Sequence, residues 1–456
     1  MLISYVPPPL ANLHVKTSVG QDLYPNDPKW CSIHRLSPTK YRLDMRLYGS
    51  YAELSLLCQE TERDPRVKIE RYTPNPLFPR FSFIILLGDR EIKPVQEIEP
   101  ALPPPAPAPL PRPPKLLPRI NWFGNFNWSG YGQVSKNCVL ALDSLGLDVR
   151  PSPSNVTPTE DWTTINRLAS KAERSNAVAI KNLNPNAHAP RHAYNIRYTV
   201  WEADMLPPAW VPTLNAEDEI WVPSNFCKDV FSNSGVHKPI TVITHGVDLR
   251  TFTPRGEGRW RDPRFTFLFI GDDLPRKGLD VFLRAFREEF GVDEPVRALL
   301  KLHGGHVGQS KNIHVIKGII PFSDVLGLYR SADCYVMSSR GEGFGMCGLE
   351  ALACGLDVIY TNWGGQTEFL SKEIAYPVAY ELVPVRDMPY DYVPLWGRAK
   401  WAEADIVDLK RTMRHVYENR EEARQRTRRG LKMVWSGYSW THVAEKMLER
   451  LREIGL

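Results

Sequence analysis

The chain contains no run of about eighteen uncharged apolar residues, the length a bilayer-spanning helix requires. Its opening, MLISYVPPPL, has no basic region followed by an apolar stretch, so no leader is expected and the expected location is the cytoplasm. Cysteine is scarce and irregular. The seven thiols (Cys31, Cys58, Cys138, Cys227, Cys334, Cys347, Cys354) are odd in number and form no C-x-x-C pair. That argues against a zinc site or a disulfide framework and predicts buried thiols in a reducing compartment. Metal-ligand spacing is missing as well: His188, His192, His303 and His306 make none, and Asp272–Asp273 is not a D-x-D site, so no metal is expected. Charge of one sign is also lacking. The net +5 over 456 residues falls mostly in the last sixty residues and the first hundred. It reads as a solvated basic helix, with a nucleic-acid or anionic-lipid footprint as the competing reading.

Proline is abundant and concentrated. EPALPPPAPAPLPRPPKLLP, residues 99–118, cannot enter a sheet or helix interior and marks a linker. Before it, in residues 1–98, YRLDMRLYG, YAELSLLCQ, RVKIERYT and RFSFIILLG suggest a small β-rich module whose role is not legible. After the linker, short apolar strands alternate with helical periodicity: RINWFG then VSKNCVLALDSLG, AVAIKNL, IRYTVWEAD, DEIWVPS then NFCKDVFSNSG. A second series follows, from FTFLFIG and GLDVFLRAFREEF through CYVMSS to IAYPVA. Such alternation predicts βαβ units and two doubly wound parallel sheets in tandem, over 119–255 and 256–430. In these folds ligands bind beyond the carboxyl ends of the strands. The end of the chain reads as two or three helices broken at Gly430 and Gly437, with 431–456 expected to pack back on the first unit.

The decapeptide GEGFGMCGLE, residues 341–350, follows the strand CYVM and opens a helix near Gly345 that stops at Gly355. Helix-start amides reached past glycines form an anion site suited to a pyrophosphate. Glu342 precedes that start and Glu350 lies about 8 Å inside it at 1.5 Å per residue. Carboxylates accept hydrogen bonds from sugar hydroxyls, so the arrangement suits a ligand with hydroxyls on both sides of a pyrophosphate, which is a nucleotide sugar. Alternatively, the glycines only make the turn and both glutamates face water.

The decapeptide resembles the E-x7-E element of the retaining glycosyltransferases called group 1 or family four, of GT-B fold. The resemblance covers roughly residues 119–456. DEIWVPSNF with ITVITHGVDLRTFTP resembles the family's interdomain segment, FIGDDLPRKGLDVFLRAF its phosphate-gripping segment, KGIIPFSDVLGLYRSADCYVMSSRGEGFG the run into the E-x7-E loop, and WAEADIVDLKRTMRHVYENREEA its C-terminal helices. The resemblance implies an α/β fold with two Rossmann-like domains facing a cleft, and transfer of a sugar from a nucleoside diphosphate sugar to an acceptor hydroxyl with retention. It implies no cofactor beyond that co-substrate. The acceptor class stays open between saccharide, lipid-linked, protein and modified nucleic acid. Carried over residue by residue, Glu342 contacts hydroxyls of the donor sugar, the backbone of Phe344, Gly345 and Met346 lines sugar and pyrophosphate, Glu350 holds the ribose, and Lys277 neutralises the diphosphate. Asp272 stands where members usually carry an arginine, and Arg276 is the candidate to replace that charge. If it does not, donor binding is weak or the chain is a degenerate, binding-only member. Ser129, Gly130, Tyr131 and Gly132 resemble the glycine-rich loop that closes on the donor, or form a plain tight turn. Glu202 in YTVWEAD is a candidate general base, or pairs with an arginine and shapes the cleft. His245 in THGVD touches the donor, or is a structural group.

Overall fold

Strands buried on both faces need apolar runs rather than alternation, and FTFLFIG and its neighbours supply them. The computed structural model describes residues 118–157, 161–388 and 390–456, together with the backbone of six strands before residue 88. The chain divides into two units, Met1–Leu110 and Pro111–Leu456.

In the first unit, β1 (Val15–Lys16) pairs with β2 (Asp22–Leu23). The strands β3 (Cys31–Ser37), β4 (Lys40–Arg46), β5 (Val67–Pro74) and β6 (Arg80–Leu87) form an antiparallel sheet of order β3-β4-β6-β5. The segment YAELSLLCQ and the proline-rich stretch up to residue 117 lie outside the described residues.

The second unit holds two six-stranded parallel sheets. The first comprises β7 (Arg119–Phe126), β8 (Asp148–Val156), β9 (Val178–Asn182), β10 (Tyr194–Tyr198), β11 (Glu219–Val222) and β12 (Ile240–Val242), in the order β12-β11-β10-β9-β7-β8. Helices α1 (Gly130–Ser144), α2 (Trp162–Ala169), α3 (Trp210–Asn215) and α4 (Asn225–Asn233) connect them. The sequence DVRPSPSNV carries two prolines and was not among the expected strands. It is β8, an edge strand, where a missing N–H leaves no ladder bond unmade.

The second sheet comprises β13 (Phe265–Gly271), β14 (Val296–Leu302), β15 (Ile313–Lys317), β16 (Cys334–Met337), β17 (Asp357–Thr361) and β18 (Tyr376–Val378). Its order, β15-β14-β13-β16-β17-β18, reverses direction between β13 and β16, which makes that gap the switch point where ligands bind. Helices α5 (Leu279–Glu289), α6 (Phe322–Ser331) and α7 (Met346–Ala353) cover it. Phe265, Phe267 and Phe269 of β13 pack against Phe282, Phe286 and Phe290 in its core.

After β18 a hairpin of β19 (Tyr380–Pro384) and β20 (Lys400–Ala404) leads to α8 (Ile406–Glu418), α9 (Arg420–Gly437) and α10 (Trp440–Glu453). Three expectations are corrected here. WAEAD does not open the terminal helices: KWAEA is β20, paired with β19. Gly430 does not break a helix. It lies inside α9, buried, where an added Cβ would come within 2.9 Å of Leu352 Cδ2, so it is a close-approach residue. The crossing back to the first sheet occurs after Gly437, not at 431: α9 packs on α7, while α10 sends Trp440, Val443, Ala444, Met447 and Leu451 into the core containing Ile120, Trp122, Val139 and Leu142. Arg450 reaches the fully buried Glu219 at 2.8 Å, where its guanidinium, helped by Thr241 and Trp221, keeps that carboxyl low despite the burial that opposes it. Of the thiols, Cys138, Cys227, Cys334 and Cys354 are buried and Cys347 is half-buried; the side chains of Cys31 and Cys58 lie outside the described residues. Among the described residues no helix is long and apolar enough to cross a membrane.

Candidate functional site

Two loops meet at the switch point. The loop after β13 makes a tight turn over Pro275–Lys277, and the loop after β16 spans residues 338–345 before α7 begins. Backbone and side chain clamp them together: the Arg340 amide donates to the Arg276 carbonyl at 2.7 Å, and the Ser338 hydroxyl to the Gly278 carbonyl at 2.8 Å. The Arg340 guanidinium, itself nearly buried, forks onto Asp280 (2.7 Å) and Glu403 (2.9 Å) and donates to the Pro275 carbonyl. Arg340 was missed by sequence reasoning. Nothing local marks it, because its partners lie 60 and 63 residues away.

The clamp aims two cations at one carboxylate. Lys277 Nζ donates to Glu342 Oε1 at 2.7 Å, and Arg276 Nη1 lies 3.3 Å from Glu342 Oε2. Ser339 donates to Oε1 at 2.8 Å. Burial would raise the Glu342 carboxyl, but Lys277 and Arg276 win and hold it down at about 2. Asp272 takes no part: it pairs with His303 at 2.7 Å. The structure thus puts Arg276, not residue 272, beside Lys277.

The helix start has the expected form. Gly345 caps α7 with φ +91°, where a side chain is strained, and no side chain caps the leading amides. Met346 Cε lies 3.5 Å from the position a Cβ on Gly130 would take, so the first residue of α7 reaches the first residue of α1 across the two sheets. Glu350 lies in α7, half-buried, accepting from the Tyr329 hydroxyl at 2.7 Å, and burial pushes its carboxyl up to about 7 against that hydrogen bond. The Phe344 ring is core, packed between His245 and Phe369, which leaves its backbone for a ligand.

From the first sheet, Gly130, Tyr131 and Gly132 form the first turn of α1 rather than a free loop, capped by Ser129 accepting from the Gly132 amide. The Tyr131 hydroxyl bonds Thr199 at 2.8 Å, and burial raises it. Glu202, past the end of β10, meets Arg276 Nη2 at 3.8 Å and accepts from the Tyr392 hydroxyl at 2.7 Å. Its two oxygens are thus engaged by Arg276 and by the Tyr392 hydroxyl, which is the arginine-pairing arrangement. The structure shows a packed setting for His245. Its ring is enclosed by Tyr198, Phe344 and Trp440, its Nδ1 has no partner, and burial alone lowers it to about 3, so it stays neutral and packs. A cavity of about 650 Å³ shares Pro275 and Arg340 with the clamp, and Lys277, Glu342 and Glu350 do not line it.

Comparison with known proteins agrees with this fold. Residues 253–375 match the family described as glycosyl transferases group 1, and residues 321–447 match family 4 glycosyltransferases in conflict systems. A D-inositol 3-phosphate glycosyltransferase of Paenarthrobacter aurescens is 31% identical over 151 residues, 29% of this chain and 37% of that protein. The chain spans between about a third and a half of the length of the curated relatives it matches. Two solved structures share the frame: sucrose-phosphate synthase from Thermosynechococcus elongatus (TM-score 0.53, 14% identity, 74% of this chain and 99% of that one) and Anabaena Alr3699/HepE in complex with UDP and glucose (0.55, 12%, 74% and 100%).

Proposed function

On the premise that residues 253–447 belong to the group 1, family four glycosyltransferases and that the frame is GT-B, we propose that this chain transfers a sugar from a nucleoside diphosphate sugar to an acceptor hydroxyl with retention. One observation carries the reading: at the β13/β16 switch point, Arg276, Lys277, Glu342 and the uncapped start of α7 converge. Arg276 and Lys277 meet the diphosphate, Glu342 accepts from sugar hydroxyls, and Glu350 accepts from the ribose. As the bond from the anomeric carbon to the phosphate oxygen breaks, charge grows on the diphosphate, and prearranged cations and amides stabilise it. The acceptor oxygen bonds the same face of that carbon, and its proton passes to the departing phosphate oxygen. The test is a panel of nucleoside diphosphate sugars assayed for hydrolysis and for transfer. Turnover with one base is the expected result; binding without turnover across all donors and acceptors would leave a binding protein. Arg276 beside Lys277 supplies the second cation whose apparent loss at Asp272 motivated that rival.

Glu350 gives the grip a pH dependence. Its ionised form is the better acceptor for ribose hydroxyls, so nucleoside diphosphate affinity is expected to rise with pH below about 7, by up to about tenfold per unit. Glu350→Gln should flatten that slope in calorimetric titrations at pH 6 and 8. Stability runs the other way. An acid raised in the folded state confers stability that is present below its unfolded value of about 4.3 and is lost as pH rises through about 7.

A second reading makes the acceptor a modified base in nucleic acid. It is favoured by α9, which exposes Arg424, Arg428, Arg429 and Lys432 near the 51% exposed Trp435. DNA or RNA binding that weakens steeply between 50 and 200 mM salt, on the order of 10-fold or more, is expected then. No binding at low salt removes this reading.

A further inference from the structure

Residues 380–404 leave the second sheet and lie against the first. Val385, Met388, Tyr392, Leu395, Ala399 and Trp401 are buried in one cluster with Trp201, Leu206, Trp210 and Val222. The Tyr392 ring stacks on Trp201 with centroids 4.6 Å apart and planes 25° apart. This stack sets the Tyr392 hydroxyl 2.7 Å from Glu202 Oε2. The other Glu202 oxygen lies 3.8 Å from Arg276, whose Nη1 also donates to the Gly341 carbonyl at 2.8 Å and lies 3.3 Å from Glu342. A chain of contacts therefore runs from the strap to the phosphate grip: Tyr392, Glu202, Arg276, Glu342, Lys277. Its two cations face two carboxylates, one from each sheet, so the grip is already charge-balanced without a ligand.

An arriving diphosphate must take over both cations. Glu342 sits on the loop that the sugar needs, whereas Glu202 comes from the opposite sheet and has no lysine or second arginine bonded to it among the described residues. We propose that Glu202 stands in for the donor's diphosphate on Arg276, and that Tyr392 is the positioning residue that holds it there. Donor entry then exchanges a carboxylate for a phosphate at Arg276 and frees the Tyr392–Glu202 contact. The strap sets donor affinity through this exchange. The inference rests on the donor-site reading above and assigns to Tyr392 and Glu202 a role the motif residues do not have.

The sign of the effect separates this role from others. Tyr392→Phe keeps the stack on Trp201 and removes one hydroxyl; Glu202→Gln keeps the shape and removes the competing charge. Isothermal titration of the full chain with the nucleoside diphosphate that binds wild type is expected to show tighter binding in both. The gain is about threefold for Tyr392→Phe and about tenfold for Glu202→Gln, from loss of a carboxylate competing at 3.8 Å. The double variant should bind no tighter than Glu202→Gln alone, because Tyr392 acts through Glu202. Equal thermal unfolding midpoints would show that the folded state is kept. Unchanged or weaker binding in both variants overturns the proposal, as does a Glu202→Gln enzyme that loses transfer at unchanged affinity, the signature of a general base. A wild type that binds no nucleoside diphosphate overturns the donor-site reading itself, and this inference with it.

Discussion

Lys277→Ala is expected to lower transfer by about 10²–10³-fold, the usual cost of removing one fixed stabiliser of developing transition-state charge. Its ammonium is one of only two cations within 4.0 Å of Glu342 among the described residues, and it is the one in direct hydrogen-bond contact, at 2.7 Å. Removing it leaves a largely buried carboxylate with Arg276 as its remaining cation, so the Glu342 carboxyl should also rise from about 2. The check combines a transfer assay with thermal unfolding. A nucleoside diphosphate at a hundred times its dissociation constant stabilises wild type by about 2.7 kcal/mol, and that shift should vanish in the variant. Lys277→Arg, which keeps the charge, should recover part of both. An undiminished shift and undiminished transfer in Lys277→Ala would remove the lysine from the donor site.

Gly341→Ala is the second large effect. A Cβ at this position would overlap the Glu202 carbonyl oxygen, which belongs to the other sheet of the unit. The clash is with backbone and cannot be relieved by a rotamer. The halves must part, and Arg276 then loses its place between Glu202 and Glu342. Misplacing reacting groups by about 1 Å costs about 10²-fold, so a loss of that order in kcat/KM is expected. Gly341 belongs to none of the hydrophobic clusters, so far-ultraviolet circular dichroism should be unchanged while turnover falls. A variant with wild-type turnover would show that the approach of Gly341 to Glu202 is not needed for the reaction.

The parts of this molecule that could be read from its sequence are those where local chemistry decides the outcome. FTFLFIG and CYVM announce strands because a doubly covered sheet needs apolar side chains on both faces. Gly345 announces the start of α7 because only glycine tolerates that φ without strain. Lys277, Glu342 and Glu350 were legible through their motif, and Arg276 was reached by asking what could replace a missing charge. What stayed hidden depends on contacts distant in sequence. Tyr392 meets Glu202 across 190 residues, from a stretch, YELVPVRDMPYDYVPLWGRAK, with neither helical nor strand period. Gly430 looked like a helix end because its reason for being glycine, the nearby Leu352, is nearly eighty residues earlier. The packing of His245 among Tyr198, Phe344 and Trp440 stayed hidden because it draws on three separate segments.

The crossing of α10 onto the first sheet has a consequence for biosynthesis. Trp440, Val443, Ala444, Met447 and Leu451 complete a core whose other members begin at Ile120. Domains generally fold as units while the ribosome is still working, N-terminal first. Here the half that begins at Ile120 waits for a helix made much later, and until α10 has emerged it carries an apolar groove the length of that helix. A ribosome stalled before residue 440 would hold a nascent chain with that groove open, a ready target for chaperones, and synthesis of α10 is the step that closes it.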